Sequence, residues 1–189
     1  MQEGIKKRVG FIFSMDTCIS CGACQLACKE ANNLSLGEFF RRVEVVCLET
    51  KEAIAHYPYS GACNHCASPA CEAACTAGAI RRLEDGTVFH DSGLCIGCGA
   101  CLWNCPYGAL SFSCSKGGTQ KCNRCRERQS NGRQPACVDA CPTQSLWLGD
   151  IEALQQEDDS SKPDLSFLPN PDVTKPSLCV MRIGGRPDA

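Results

Sequence analysis

The strongest constraint on this chain is the run over residues 95–106, CIGCGACLWNCP. Cys95, Cys98, Cys101 and Cys105, followed by Pro106, spell C-x2-C-x2-C-x3-C-P, a spacing by which thiolates hold cubane iron–sulfur clusters. Three thiolates two residues apart wrap one face of such a cluster. Gly97, Gly99 and Ala100 let the backbone turn tightly between them and aim its N–H groups inward. Cys105 lies too far along to join the same cluster and reaches a neighbouring one. One motif of this kind therefore requires a second, and the sequence supplies three more.

The first group is Cys18, Cys21, Cys24 and Cys28, without the following proline. A strand over 5–15 leads into it, and good helix formers over 23–32 predict a short helix behind the loop. A second strand is expected over 39–48, then a connector containing Tyr57, Pro58 and Tyr59. The second group, Cys63, Cys66, Cys71 and Cys75, is two residues longer in the middle, and Pro69 starts the helix that carries Cys71 and Cys75. Residues 79–90 read as a hairpin in which Asp85-Gly86 supplies a type I′ turn. After the third group a strand is expected over 109–114, with a glycine-rich crossing loop over 115–119. The fourth group is Cys122, Cys125, Cys137, Cys141 and Pro142, with a polar, basic insert between its second and third cysteines. A strand over 145–148 follows, and Asp150 is placed to cap a short helix over 151–156. From residue 160 the chain is proline-rich and reads as an extended arm with too little apolar surface to fold alone, wrapping the protein or lying on a partner.

Composition matters mainly for what it excludes. Of 189 residues, 19 are cysteine, so the 43% hydrophobic content leaves roughly a third of the chain for an oily core. That is thin for the length, and something inorganic is expected to fill the middle. The odd cysteine count and the repeated metal-ligand spacing argue against a disulfide scaffold. A net charge of −2 gives no footprint for nucleic acid. No apolar stretch approaches the ~20 residues of a spanning helix. The basic start, MQEGIKKRVGFIFSMD, carries too short an apolar run for a secretory signal. Structural zinc also uses C-x2-C pairs, but a third cysteine two residues on crowds a single tetrahedral ion. No G-x-G-x-x-G or phosphate loop supports an enzyme in its own right.

Four complete groups use sixteen cysteines and leave Cys47, Cys114 and Cys179 over. A strand–loop–helix unit headed by C-x2-C thus recurs four times, and two units make one two-cluster ferredoxin-like lobe. Tandem pairing joins first with second and third with fourth; nested pairing joins first with fourth and second with third. Neither is sterically excluded, although the short link from Cys75 to Cys95 suits one compact inner lobe.

From about Phe11 to Ile183 the chain resembles the iron–sulfur electron-transfer subunits of molybdopterin oxidoreductases, the dimethyl sulfoxide reductase type above all. The resemblance is carried by CNHC-x4-C from Cys63 to Cys71, CPYGA from Cys105 to Ala109, KC-x2-C from Lys121 to Cys125, and G-x-QPACV-x2-CP from Gly132 to Pro142. Thr174-Lys175-Pro176 in the tail and Arg41-Arg42-Val43 after Phe40 also match. It implies an α+β fold of two nested ferredoxin-like lobes: an outer one from 1–50 with 115–149, an inner one from 51–114, then a C-terminal helix and arm over 150–189. It implies four [4Fe–4S] clusters in a wire, including a four-iron cluster at the group containing Cys101. Nesting gives the ligand sets Cys18, Cys21, Cys24 with Cys141; Cys28 with Cys122, Cys125, Cys137; Cys63, Cys66, Cys71 with Cys105; and Cys75 with Cys95, Cys98, Cys101. The implied partners are a molybdenum or tungsten bis-pterin catalytic subunit and a membrane quinol-oxidising subunit. A free-standing polyferredoxin, or the wire of a hydrogenase or formate dehydrogenase, is the competing assignment. Assembly is expected in the cytoplasm, with the finished subunit peripheral to a membrane.

Single residues carry weaker expectations. His65, between two ligands, is expected to support a cluster from outside the ligand set or at an interface. Trp103, Tyr107 and Trp147 are expected to shield clusters and pack the lobes. Cys47, Cys114 and Cys179 read as small buried residues. Lys29 and the basic stretch 124–128 read as a solvated face that flanks one cluster, with Lys29 and Arg124 close enough to raise its potential.

Overall fold

Strand β1 (Val9–Ser14) is buried along nearly its whole length, because it is the middle strand of a three-stranded sheet. A strand covered on both faces reads as a continuous apolar run, and GFIF is one. The computed structural model describes residues 8–49, 54–151 and 166–181. Among these, α1 (Ala23–Ala31) follows the first cysteine loop, entered through Gly22 at φ 75°. A long ribbon is formed by β2 (Arg41–Glu49) and β3 (Ile54–Ala62). Then come α2 (Ala70–Ala73), the short hairpin β4 (Ile80–Arg82) with β5 (Val88–His90), and α3 (Ala100–Asn104). A second hairpin, β6 (Leu110–Ser113) with β7 (Gly118–Lys121), precedes α4 (Arg126–Ser130), α5 (Ala136–Asp139) and β8 (Leu146–Asp150). The described tail adds α6 (Pro171–Thr174) and β9 (Leu178–Met181).

Two helix contacts organise the molecule: α1 packs on α5, and α2 packs on α3. Residues of the first cysteine group therefore meet those of the fourth, and residues of the second meet those of the third. The larger core cluster joins Phe11, Phe13, Met15, Phe40, Tyr59, Leu146 and Val180, with Tyr59 edge-on to Phe13 at 6.1 Å between ring centroids. The smaller joins Ile80, Val88 and Leu110 around Cys71 and Cys101. Both are modest in size, as the composition requires.

Several expectations change. Strand β9 lies parallel to β1, with Phe13 opposite Val180, and β8 lies antiparallel on the other edge, with Ile12 opposite Trp147. The described part of the tail is thus built into this protein's own sheet rather than held out as an arm. The approach is close: a Cβ on Gly10 would sit 2.3 Å from the Ser177 carbonyl oxygen. The tail also reaches the second cysteine group, where Ala67 N–H donates to the Lys175 carbonyl (2.8 Å) and Ser68 N–H to that of Thr174 (3.0 Å). The segment around Pro58 is strand β3, with Pro58 opposite Val45 on a two-stranded ribbon whose open edge tolerates a missing N–H. At the Asp85-Gly86 turn only Gly86 has positive φ, 76°. Gly86 N–H donates to the Leu83 carbonyl and Leu83 N–H to that of Thr87, so the hairpin closes on a longer turn than type I′. The glycine-rich stretch 115–119 makes the tight β6–β7 connection, and Thr119 is already strand. Cys71 rides on α2, while Cys75 lies just past its end. Of the helix expected over 151–156, Ile151 is helical and buried and the rest falls outside the described residues, as does the start of the strand at 5–7.

Candidate iron–sulfur sites

Cys18 and Cys21 sit in the loop before α1 and Cys24 on its first turn, while Cys141 follows α5. The α1–α5 contact brings all four to one cavity lined also by Phe13, Ser60 and Leu146. Its thiols meet prepared donors: Ser145 N–H points at Cys141 Sγ (3.1 Å) and Ser60 Oγ lies 3.4 Å from Cys24 Sγ. Burial acts to raise the Cys141 thiol, but the Ser145 and Thr143 bonds outweigh it and hold the group below its ordinary value.

Cys28, one turn further along the same helix, is not among the residues that line that cavity. Burial pushes its thiol up, and the negative charges of Cys122, Cys137 and Cys125 push it further. Cys122 is raised to about 12 by burial and then by Cys63, even though Arg124 N–H donates to its sulfur at 3.3 Å. Cys63, Cys66 and Cys71 converge with Cys105, and Cys71 is raised to about 12, by burial first and by Cys63 next. Cys75, Cys95, Cys98 and Cys101 line a fourth space with Ile80 and Thr119. A Cβ on Gly97 (φ 70°) would stand 2.5 Å from the Gly117 carbonyl oxygen, so this loop needs glycine there.

Among the described residues, no three thiol, imidazole or carboxylate groups converge tightly enough to hold a single metal ion. The thiols instead surround gaps, as a multi-iron group requires. Buried sulfurs whose thiolates repel one another fit a cofactor that supplies positive iron centres and accepts four thiolates.

The remaining candidates divide. His65 is fully buried in a left-handed backbone (φ 44°), and its Nδ1 accepts the Val88 N–H at 3.0 Å. Burial, then Lys121 and Arg124, lowers its pKa well below the usual value, so it is a neutral strut under the second group. Trp103 is 89% exposed and shields nothing within this protein. Tyr107 Oη lies 3.2 Å from Thr174 Oγ1 and ties the third group to the tail, while Trp147 is half-buried on β8. Cys47 and Cys114 are exposed, contrary to expectation, and Cys179 is half-buried on β9. Lys29 turns to the Ser35 and Glu38 carbonyls and the Phe39 ring. Arg126 and Arg128 make surface ion pairs, with Asp85 and Asp139. Arg124 is buried rather than solvated.

Sequence reading passed over Arg41 as a ligand neighbour. It is 2% exposed and acts on Cys137, Cys122, Cys24 and Cys28, whereas Arg42 beside it faces solvent. The available signal was the Arg-Arg pair on a strand, where alternation must turn one guanidinium inward.

Cysteine rings carried on short helices beneath small sheets define a ferredoxin-type α+β iron–sulfur protein. Comparison agrees: residues 54–151 match the 4Fe-4S dicluster domain and residues 15–31 a 4Fe-4S binding domain. The probable anaerobic dimethyl sulfoxide reductase subunit YnfG of Escherichia coli is 36% identical over 179 residues, 90% of this protein and 87% of the relative. The B subunit of anaerobic dimethyl sulfoxide reductase from Haemophilus influenzae is 36% identical over 183 residues, 92% and 89% of the two proteins. The thiosulfate reductase electron transfer subunit PhsB of Salmonella typhi is 34% identical over 158 residues, 75% and 81%. The protein belongs to this family of iron–sulfur electron-transfer subunits, and its cofactors are [4Fe–4S] clusters. No helix among the described residues is long and apolar enough to cross a membrane.

Proposed function

We propose that the protein is a four-cluster relay, passing single electrons between a quinol-linked or other donor and a molybdopterin catalytic subunit. The observation that carries the reading is the helix contact, α1 on α5 and α2 on α3, which sets the first cysteine group beside the fourth and the second beside the third. In this reading the first set (Cys18, Cys21, Cys24, Cys141) and the second (Cys28, Cys122, Cys125, Cys137) belong to an outer ferredoxin-like lobe. The third (Cys63, Cys66, Cys71, Cys105) and the fourth (Cys75, Cys95, Cys98, Cys101) belong to an inner one. Residues 166–181 are assigned to the outer lobe because β9 pairs with β1. A bound cluster supplies reversible one-electron exchange with no proton or atom transferred. The protein supplies the rest: thiolates that fix each position, N–H donors that favour negative sulfur, and apolar walls that exclude water. The relatives' names, dimethyl sulfoxide reductase and thiosulfate reductase, support a molybdopterin catalytic partner. A membrane quinol-oxidising subunit completes the proposed complex, with this subunit assembled in a reducing compartment and peripheral to the membrane.

Anaerobically purified protein is expected to contain about sixteen iron and sixteen sulfide, four of each per cubane. Pull-down of the native complex is expected to bring down molybdenum or tungsten with it. A reproducible value near eight iron, with half the cysteines open to alkylation, overturns the four-cluster reading.

A further inference from the structure

Arg41 opens β2, and its side chain enters the larger core rather than solvent. Its Nη1 donates to the Ser60 carbonyl (2.8 Å) and to Ser60 Oγ (3.0 Å). Its Nε and Nη2 are buried with no hydrogen-bond partner, and its guanidinium lies 4.5 Å over the Phe11 ring. Among the described residues no carboxylate pairs with it. A guanidinium does not shed its proton. A lone buried one is strongly destabilising unless a negative charge is near.

The negative groups near it are cysteines of two different sets. Ser60 Oγ, already accepting from Arg41, keeps its O–H to donate to Cys24 Sγ at 3.4 Å, in the first set. Cys28, Cys122 and Cys137 of the second set also act on the guanidinium electrostatically. Its Nε and Nη2 remain free as donors.

We propose that Arg41 is the shared counter-cation of the first and second cysteine sets, stabilising the reduced state of both clusters through one guanidinium. This rests on the reading that both sets hold clusters. Reduction adds one electron and no proton, so each reduced site is one unit more negative. A fixed positive charge in a dry core favours that state and raises the midpoint potential. Arg41 is a positioning and tuning residue, not a ligand.

The test uses the full cluster-loaded protein, in redox titrations followed by electron paramagnetic resonance with iron and sulfide analysis alongside. Cys21→Ser and Cys125→Ser variants assign the first and second clusters. Arg41→Gln is expected to lower both midpoints by about 59 mV or more, at least a tenfold change in each one-electron equilibrium. The third and fourth clusters move much less. Arg41→Lys keeps both midpoints near those of the parent, and Ser60→Ala lowers the first cluster alone. If Arg41→Gln loses iron, retention of both clusters at parental midpoints in Arg41→Lys supports the assignment. Loss of the same clusters from the Lys variant overturns it. Full iron with unmoved midpoints in Arg41→Gln, or an equal shift at all four, also overturns it. Absence of iron from these two sets in the parent instead overturns the ligand assignment beneath it, and iron analysis tells the two failures apart.

Discussion

The first and fourth cysteine groups and the second and third share a pattern but are built differently. Around the first and fourth, the core is aromatic, with Phe11, Phe13, Phe40 and Tyr59, and the buried Arg41 lies over the Phe11 ring. Around the second and third, the core is small and aliphatic, with Ile80, Val88 and Leu110, and the fourth set's Cys101 meets Thr119 and other thiols. The first arrangement joins distant segments: Phe11 pairs with both Leu148 and Leu178. The second is nearly continuous in sequence. Closing long loops carries more entropy, so the distant arrangement needs the larger apolar surface and the extra strand. Electrostatically, buried cations stand by both: Arg41 acts on Cys24, Cys28, Cys122 and Cys137, while Lys121 and Arg124 act on Cys71 and Cys63 of the second group.

The largest effect that would break this comparison is removal of residues 166–189. Across its four paired residues β9 contributes hydrogen bonds worth about 1 kcal/mol each. Burial of Val180 adds about 2 kcal/mol. The truncated protein is expected to lose on the order of 5 kcal/mol and to shed iron from the first and second sets before the fourth. Iron analysis with resonance spectra of the remaining clusters checks this. Full retention of iron with only subunit assembly impaired would return the tail to the role of a partner-binding arm.

A smaller effect compares the two cores directly. Phe13→Ala should cost about 3–5 kcal/mol, since Phe13 is 1% exposed and stacks edge-on with Tyr59. Val88→Ala should cost about 2 kcal/mol, two buried carbons plus a small cavity. Anaerobic guanidinium unfolding of the holoprotein measures both, and a reversed order would mean the aliphatic cluster is the more cohesive.

The smallest effect is at the seam. Asp85, on the β4–β5 turn, pairs with Arg126 at 2.6 Å, both partly exposed. Asp85→Asn should cost no more than about 1 kcal/mol at neutral pH. Although burial opposes it, the Thr87 hydrogen bonds and then Arg126 and Arg124 hold the Asp85 carboxyl below its ordinary value. A depressed carboxyl gives stability that is present above the ordinary value of 3.8 and lost as pH falls below it. The parent's stability should therefore drop toward that of the variant in acid. A constant gap from neutral pH down would assign the difference to packing.

By itself the sequence determined the local chemistry. Spacing fixes which cysteines share a loop, because a few residues between thiolates leave the backbone few ways to go. The glycines at 22, 97 and 99 mark the tight turns, and helix α1 follows from its formers. Which group meets which was open in the residues alone, since tandem and nested pairing are both sterically possible; in the structure α1 packs on α5 and α2 on α3, which supports nesting. Tertiary structure also decided the tail: LCVM is too short to look like a strand until β1 offers it an open edge. Above all it decided Arg41, which reads as one more surface cation until Phe11 and Ser60 close around it within reach of the charge of four thiols. Charge acts through space and burial, and both are set by which distant segments pack together, not by neighbours in the sequence.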